Sequence, residues 1–416
     1  MPTSVSTSMP AEDEDISVTT FRKYLRIKTV HPDPDYETCT KFLKELAAEI
    51  GILSKVVEPV QGKPVVILTV PGLNPSLSSL FLYSHTDVVP VYPEFWKHDP
   101  FAAVKDENGI IYGRGTQDMK SVGIQYFEAI RQLKRKHVQM QRTVHLVYGP
   151  DEEIGGHDGM EKFVHHPVLR EMRVGFVLDE GVPWPDDTYR IYNGERCSWP
   201  IRVKCKGNPG HGSKFVENTA AEKMRKIINC FLDFRQEERD KMRQFPGDAL
   251  GQVITVNLTK IEGGVQINVV PAEMTAEFDI RLPPDTDFEA FEAQLHTWMK
   301  EAGPDVSFEY LPWKYTLRGV TPMDESNPWW MAMKSVFDKL GLKYTQSMLG
   351  GGTDSRFLRK LGYPALHLSP MIHTAPLLHD HNEHISENVF LDGVRIYEEL
   401  IPTLANLPWN QRDADM

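Results

Sequence analysis

Cysteine is scarce in this chain, with four among 416 residues (Cys39, Cys197, Cys205 and Cys230) and no CxxC pair. That removes zinc-knuckle and CxxC redox chemistry, and in a chain this long it makes no disulfide framework, so a reducing compartment fits. Long apolar runs are also missing. No stretch approaches the ~18 uninterrupted apolar residues that a membrane-spanning helix needs. The first residues, MPTSVSTSMPAEDEDIS, are polar and acidic and lack the apolar segment of a secretory signal. A cytoplasmic location is expected, and the sequon Asn257-Leu-Thr259 is expected to stay unmodified. Positive charge is in deficit as well. A net charge of −12 repels a polyanion. The main basic run, RQLKRKH from Arg131 to His137, closes a helical stretch, where cations complement the dipole. Neither nucleic acid nor a membrane is an expected partner.

What is present suits a globular protein of two domains. A length of 416 residues exceeds what one core usually serves. Apolar residues at 41% are enough for a sizeable core. Residues 1–15 read as disordered, and helices are expected over SVTTFRKYLRI and CTKFLKELAAEIGI. Apolar strands then alternate with amphipathic helices: PVVILTV, SLFLYS, the helix MKSVGIQYFEAIRQLKR, TVHLVYG and VGFVLDE. Continuous apolar strands separated by helices predict an α/β domain with a mixed, largely parallel sheet covered on both faces.

The rhythm changes near residue 198. A strand (WPIRVKCKG), a long helix (TAAEKMRKIINCFLDFRQEERDKMRQF), two strands, a helix and a final strand follow, to about residue 314. That β-α-β-β-α-β order is the ferredoxin-like arrangement. The helix NPWWMAMKSVFDKLGL, the strand PALHLSP and the closing helix FLDGVRIYEELIPTLANL come after it. The expected organisation is one domain over 1–197 and 315–416, interrupted by an α+β insert over 198–314.

The chemistry gathers at the carboxyl ends of the apolar strands. SLFLYS runs into His85-Thr-Asp87, TVHLVYG into Asp151-Glu152-Glu153, VGFVL into Asp179-Glu180, and GRGTQD supplies Asp118 just before a helix. Open α/β sheets bind ligands beyond these strand ends. Four or more acidic groups converging there repel one another unless a multivalent cation neutralises them. Imidazole and carboxylate without thiolate suit zinc, cobalt, manganese or iron, and calcium would take more oxygens and no histidine. Taken singly these motifs are weak, since any i, i+2 pair on a strand shares a face. Their joint placement, with His379-x-x-x-Glu383 downstream, makes a metal site the simplest reading.

The motifs SHTDVVP, YGRGTQDMK, PDEEIGG, LDEG and HDHNEHI, in that order, resemble the signature of the co-catalytic zinc amidohydrolases. That family includes aminoacylases, acetylornithine deacetylase, succinyl-diaminopimelate desuccinylase, carboxypeptidases and dipeptidases. The resemblance spans nearly the whole chain, insert included. It is strongest toward the aminoacylases, through SHTDVVP, AAEK, VNLTKIEGG, SNPWW and LLHDH.

Several expectations come from this resemblance alone. Two zinc ions per subunit, with cobalt or manganese as substitutes, are bridged by Asp118. His85 and Glu180 complete one ion's set, and Glu153 and His379 the other's, with His379 preferred to His381. Asp87 orients His85 through its far ring nitrogen. Glu152 takes the proton of the attacking water and returns it to the leaving amine. His211, in PGHGSKF, reaches across the interface of a homodimer formed by the insert and donates to the oxyanion. By itself a histidine in a Gly-rich turn reads as an exposed loop residue. Asn268 and Arg281 resemble further substrate-binding positions.

In GGGTDSRF, residues 350–357, three glycines admit backbone amides to an anion and Arg356 offers a bidentate fork. The plainer reading is a Gly-rich turn, and GxxxxGK[ST] is absent. His98, His145, His157, His367, His373 and His384 read as core or surface residues. The reaction implied is hydrolysis of small N-acyl-L-amino acids, preferably neutral and apolar. A metallo-dipeptidase or carboxypeptidase with the same two-metal chemistry is the alternative.

Overall fold

A computed structural model describes residues 14–245, 249–312, 314–410 and 413. Most of the N-terminal stretch read as disordered lies outside them. Its last two residues are tied down, however. Asp15 caps the helix α1 (Ile16–Leu25) by accepting the Ser17 N–H at 2.7 Å, and Glu14 pairs with Arg22 at 2.6 Å. The chain divides into two compact units, one of residues 1–192, 321–346 and 353–416, the other of 193–320 and 347–352.

The first unit is built on an eight-stranded sheet. Its strands are β1 (Leu53–Val60), β2 (Lys63–Val70), β3 (Ser79–His85), β4 (Val144–Gly149), β5 (Val174–Asp179), β6 (Thr188–Glu195), β7 (Lys343–Leu349) and β8 (Ala365–His367), in the spatial order β1-β2-β4-β3-β5-β8-β6-β7. The four central strands run parallel, while β1 and β2 are antiparallel to their neighbours and β6 is antiparallel to β8.

Why the central strands are buried at every position follows from their two faces. In β3, Leu80 and Leu82 enter one core with helices on that side, whereas Phe81 and Tyr83 enter a second core on the other. Each such side chain contributes about 1.5–3 kcal/mol by leaving water, so strict alternation would forfeit half of the burial. β6 and β7 were not foreseen. TYRIYNGE and KYTQSML mix polar and apolar residues; KYTQSML is a partly buried edge strand that tolerates this, whereas TYRIYNGE is mostly buried with its polar residues included.

Helix α2 (Tyr36–Glu49) and helix α3 (Lys120–Arg135) pack on this sheet, α3 with 13 of its 16 residues buried. Gly123 lets α3 approach closely, because a Cβ there would stand 2.6 Å from Ser84 Oγ. The start of α3, with Asp118 just before it, is thereby brought against the end of β3.

The second unit has its own sheet, in the order Thr255–Gly263, Glu273–Leu282, Ile201–Lys206, Val306–Tyr310, antiparallel throughout. Helices Ala220–Met242 and Phe288–Ala302 complete the β-α-β-β-α-β order. Ile201, Val203, Phe231, Phe278, Leu295 and Trp298 form its separate core.

Candidate metal centre

Five expected ligands meet in the first unit, each delivered by a different segment. His85 ends β3 and Glu180 follows β5. Glu153 lies in a single helical turn (Glu152–Ile154) after β4. Asp118 precedes α3, and His379 sits in the loop before the short strand His384–Ser386.

Asp118 stands in the middle. Its Oδ1 is 2.9 Å from His85 Nε2, and its Oδ2 is 3.2 Å from His379 Nε2. Glu180 Oε1 approaches His85 Nε2 at 3.5 Å, and Glu153 Oε2 approaches His379 Nε2 at 3.0 Å. Ligand atoms of His85, Asp118 and Glu153 all lie within 4.8 Å of one another, and so do those of His85, Glu152 and Glu180. His381 goes elsewhere. Its ring packs on Phe95 and Tyr92, with centroids 5.0 and 6.2 Å away.

The electrostatics show what the cluster needs. Burial, and next the Asp118 carboxylate, push Glu153 up to about 7 and Glu180 well above the carboxylate range. Burial would raise Asp118 too, but its hydrogen bonds with His379 and His85 outweigh that and hold it below the ordinary range. Those same bonds, first with Asp118 and then with Glu153, lift His379 to about 10. Glu153 Oε1 and Glu180 Oε2 are buried without any hydrogen-bond partner. Buried acceptors left unpaired cost about 1–3 kcal/mol each, and more when charged. A set of carboxylates and imidazoles with lone pairs to spare fits divalent cations of the zinc type.

Around the ligands lies a supporting layer. Asp87 faces His85 Nδ1 with its backbone carbonyl at 2.9 Å, while its nearer carboxylate oxygen is 3.7 Å away. That carboxylate instead accepts the N–H groups of Glu152 at 3.1 Å and Glu153 at 3.0 Å, and bonds His31 Nε2 at 2.9 Å. Asp151, at φ 65°, bonds the Tyr36 hydroxyl at 2.6 Å and Lys63 at 2.6 Å, which anchors the turn carrying Glu152. Of these partners, His31, Tyr36 and Lys63 were not identified from sequence; His31 and Tyr36 fall inside the acidic, proline-rich segment HPDPDYE.

Glu152 itself is nearly buried. Burial first, and then Asp354 and Glu153, push its carboxyl well above the usual range against the pull of His85 and Arg356. Arg356 lies 3.7 Å from Glu152 and spends its fork on the carbonyls of Thr353 at 2.6 Å and Gly155 at 2.7 Å, with its guanidinium over the Phe357 ring.

His211, Asn268 and Arg281 all belong to the second unit. His211 is exposed on a two-stranded ribbon opposite Val269, with Nδ1 2.8 Å from Ser213 Oγ, and the Gly212 N–H bonds the Asn268 carbonyl at 2.8 Å. His211 and Asn268 are therefore neighbours. Arg281 pairs with Asp279 at 2.7 Å.

Residues 81–403 match Peptidase family M20/M25/M40. The chain is 50% identical to aminoacylase-1 of Homo sapiens over 402 residues, covering 97% of this chain and 98% of that protein. Among solved structures it is similar to the M20 family metallo-carboxypeptidase Sso-CP2 of Sulfolobus solfataricus, with TM-score 0.75, 22% identity, and coverage of 94% and 100%. It is also similar to the Bacillus subtilis YXEP protein, described as a dinuclear metal-binding peptidase, with TM-score 0.65, 17% identity, and coverage of 92% and 96%.

Proposed function

The chain belongs to peptidase family M20/M25/M40, and from that footing we propose that it is a two-zinc aminoacylase of the cytoplasm, working as a homodimer. It is a metal-dependent amidohydrolase that splits N-acyl amino acids into a carboxylate and a free amino acid. The observation that carries this reading is Asp118, whose two oxygens face His85 at 2.9 Å and His379 at 3.2 Å within a chain half identical to aminoacylase-1.

His85, Asp118 and Glu180 would hold one ion, and Asp118, Glu153 and His379 the other. When bound, such a pair polarises a carbonyl oxygen and lowers the pKa of water towards about 7.

The chain's own residues supply the proton handling. Glu152 accepts the proton of the attacking water as the new C–O bond forms. It then delivers that proton to the amide nitrogen as the C–N bond breaks, so the amine leaves neutral. Its nearly dry surroundings suit that double role, because a carboxyl that gives and takes protons near neutral pH must lie above its ordinary pKa. Asp87, holding the N–H groups of Glu152 and Glu153, fixes the base against the ligand beside it. Arg356, expected from sequence to meet the substrate, places its positive charge 3.7 Å from Glu152 while its fork holds the carbonyls of Thr353 and Gly155.

For the remaining residues the proposal follows the resemblance. His211 donates from the partner subunit to the developing oxyanion. Asn268 and Arg281 are further substrate-binding residues. The insert serves as lid and dimerisation domain. Neutral, apolar amino acids are preferred. Four thiols without disulfide partners support the cytoplasmic assignment.

The deciding experiment compares an N-acetyl-L-amino acid with the unblocked dipeptide of similar size, with and without chelator. Chelator-sensitive release of the amino acid from the acetyl substrate, with little dipeptide cleavage, is expected. Preference for the dipeptide would make the protein a metallo-dipeptidase.

A further inference from the structure

The loop that ends in Asp118 and the loop that carries His379 are laced together by two side chains reaching in opposite directions. Glu383, fully buried, extends its carboxylate into the first loop. It accepts the N–H groups of Gln117 at 2.6 Å, Gly115 at 3.2 Å and Asp118 at 3.3 Å, and the Thr116 hydroxyl at 3.4 Å. Its charge is balanced by Arg114 at 2.8 Å, itself 2% exposed.

Gln117, equally buried, returns the contact. Its Nε2 donates to the carbonyls of Ala375 at 3.0 Å and His384 at 2.9 Å, and its Oε1 accepts the Leu377 N–H at 2.8 Å. His379 therefore lies between two clasped points, Leu377 and Glu383, and Asp118 is itself clasped through its N–H. His379 also holds a left-handed backbone, φ 63°, which a non-glycine residue keeps only where its flanks are fixed.

A buried ion pair is weak evidence for stability, because desolvation offsets most of its attraction. Its more secure use is to set geometry. Here one carboxylate gathers three backbone donors from one ligand loop while its own main chain belongs to the other.

We propose that Glu383 and Gln117 are positioning residues, a reciprocal clasp that sets the separation of Asp118 and His379 and so the affinity of the site for its second metal ion. The proposal rests on the ligand assignment above. Neither residue touches the reacting atoms.

The test is a zinc titration of metal-free wild-type, E383Q and Q117L proteins against a chromogenic chelator, with a thermal melt of each. Wild type should take up two ions. In each variant the weaker-bound ion should lose about 10- to 100-fold in affinity, as removal of an outer-layer partner typically does. The double variant should lose little more than either single one, because the clasp acts as one unit. Wild-type zinc affinity in both variants, with only a lowered melting temperature, would reduce the clasp to a structural role and overturn the proposal. If E383Q does not fold, Q117L decides by the same criterion. A wild type that binds no zinc overturns the ligand assignment, and the clasp with it.

Discussion

The Nε2 of His31 lies 2.9 Å from the Asp87 carboxylate, which in turn receives the N–H groups of Glu152 and Glu153. One buried carboxylate thus links a histidine of the N-terminal region to the general base and to a metal ligand.

That link has a pH signature. The hydrogen bond with Asp87 raises the His31 pKa above its ordinary value despite burial. A raised folded-state pKa contributes stability that is full below about 6.5 and fades as pH rises through the folded value. His31→Ala should therefore lower the melting temperature most near about pH 5.5 and least near about pH 8.5. Melts of both proteins across that window check it. A deficit that grows toward high pH would contradict the link.

His145 titrates with the opposite sign. Burial pushes it down to about 4, and its ring bonds Thr69 Oγ1 at 2.9 Å. The unfolded chain takes a proton near pH ~6.5 that the folded chain refuses until about 4, so stability is lost as pH falls across that interval. The loss is of order 3 kcal/mol at the acid end, at about 1.4 kcal/mol per unit. His145→Gln should flatten this part of the stability curve. Denaturant midpoints at the two ends of the window measure it, and equal slopes in both proteins would be contrary.

Glu152 separates proton transfer from metal binding. Glu152→Gln keeps the side-chain volume and removes the base, so kcat should fall by about 10²- to 10⁴-fold. The metal content of the purified variant should match wild type, and elemental analysis beside a turnover assay checks both halves. Metal loss in step with activity would instead make Glu152 a ligand, which its closeness to His85 and Glu180 makes worth measuring.

Much of the centre was legible in the sequence because strand ends are. Apolar runs ending in His85, Glu153 and Glu180 place those side chains at the carboxyl edge of a parallel sheet whatever the details. The choice of His379 over His381 was not legible from chemistry, since both lie in one short polar loop. The geometry separates them by turning His381 onto Phe95. The supporting layer was hidden for a different reason. His31 is 56 positions from Asp87, and Gln117 is 260 from Leu377, so no local period connects them. Arg356 shows the converse. Its sequence context suggests an open fork, but the fold occupies that fork with the carbonyls of Thr353 and Gly155.

Asp118 is proposed to bridge two metal ions that the amidase reaction requires. Counting metal per chain in the purified protein, and again after chelation and zinc readdition, tests it most directly when N-acyl-amino-acid hydrolysis is followed in the same samples. Two ions per chain, activity lost with them and recovered as both return, is the predicted result. One ion or none at full activity, or hydrolysis that survives complete metal removal, would contradict it.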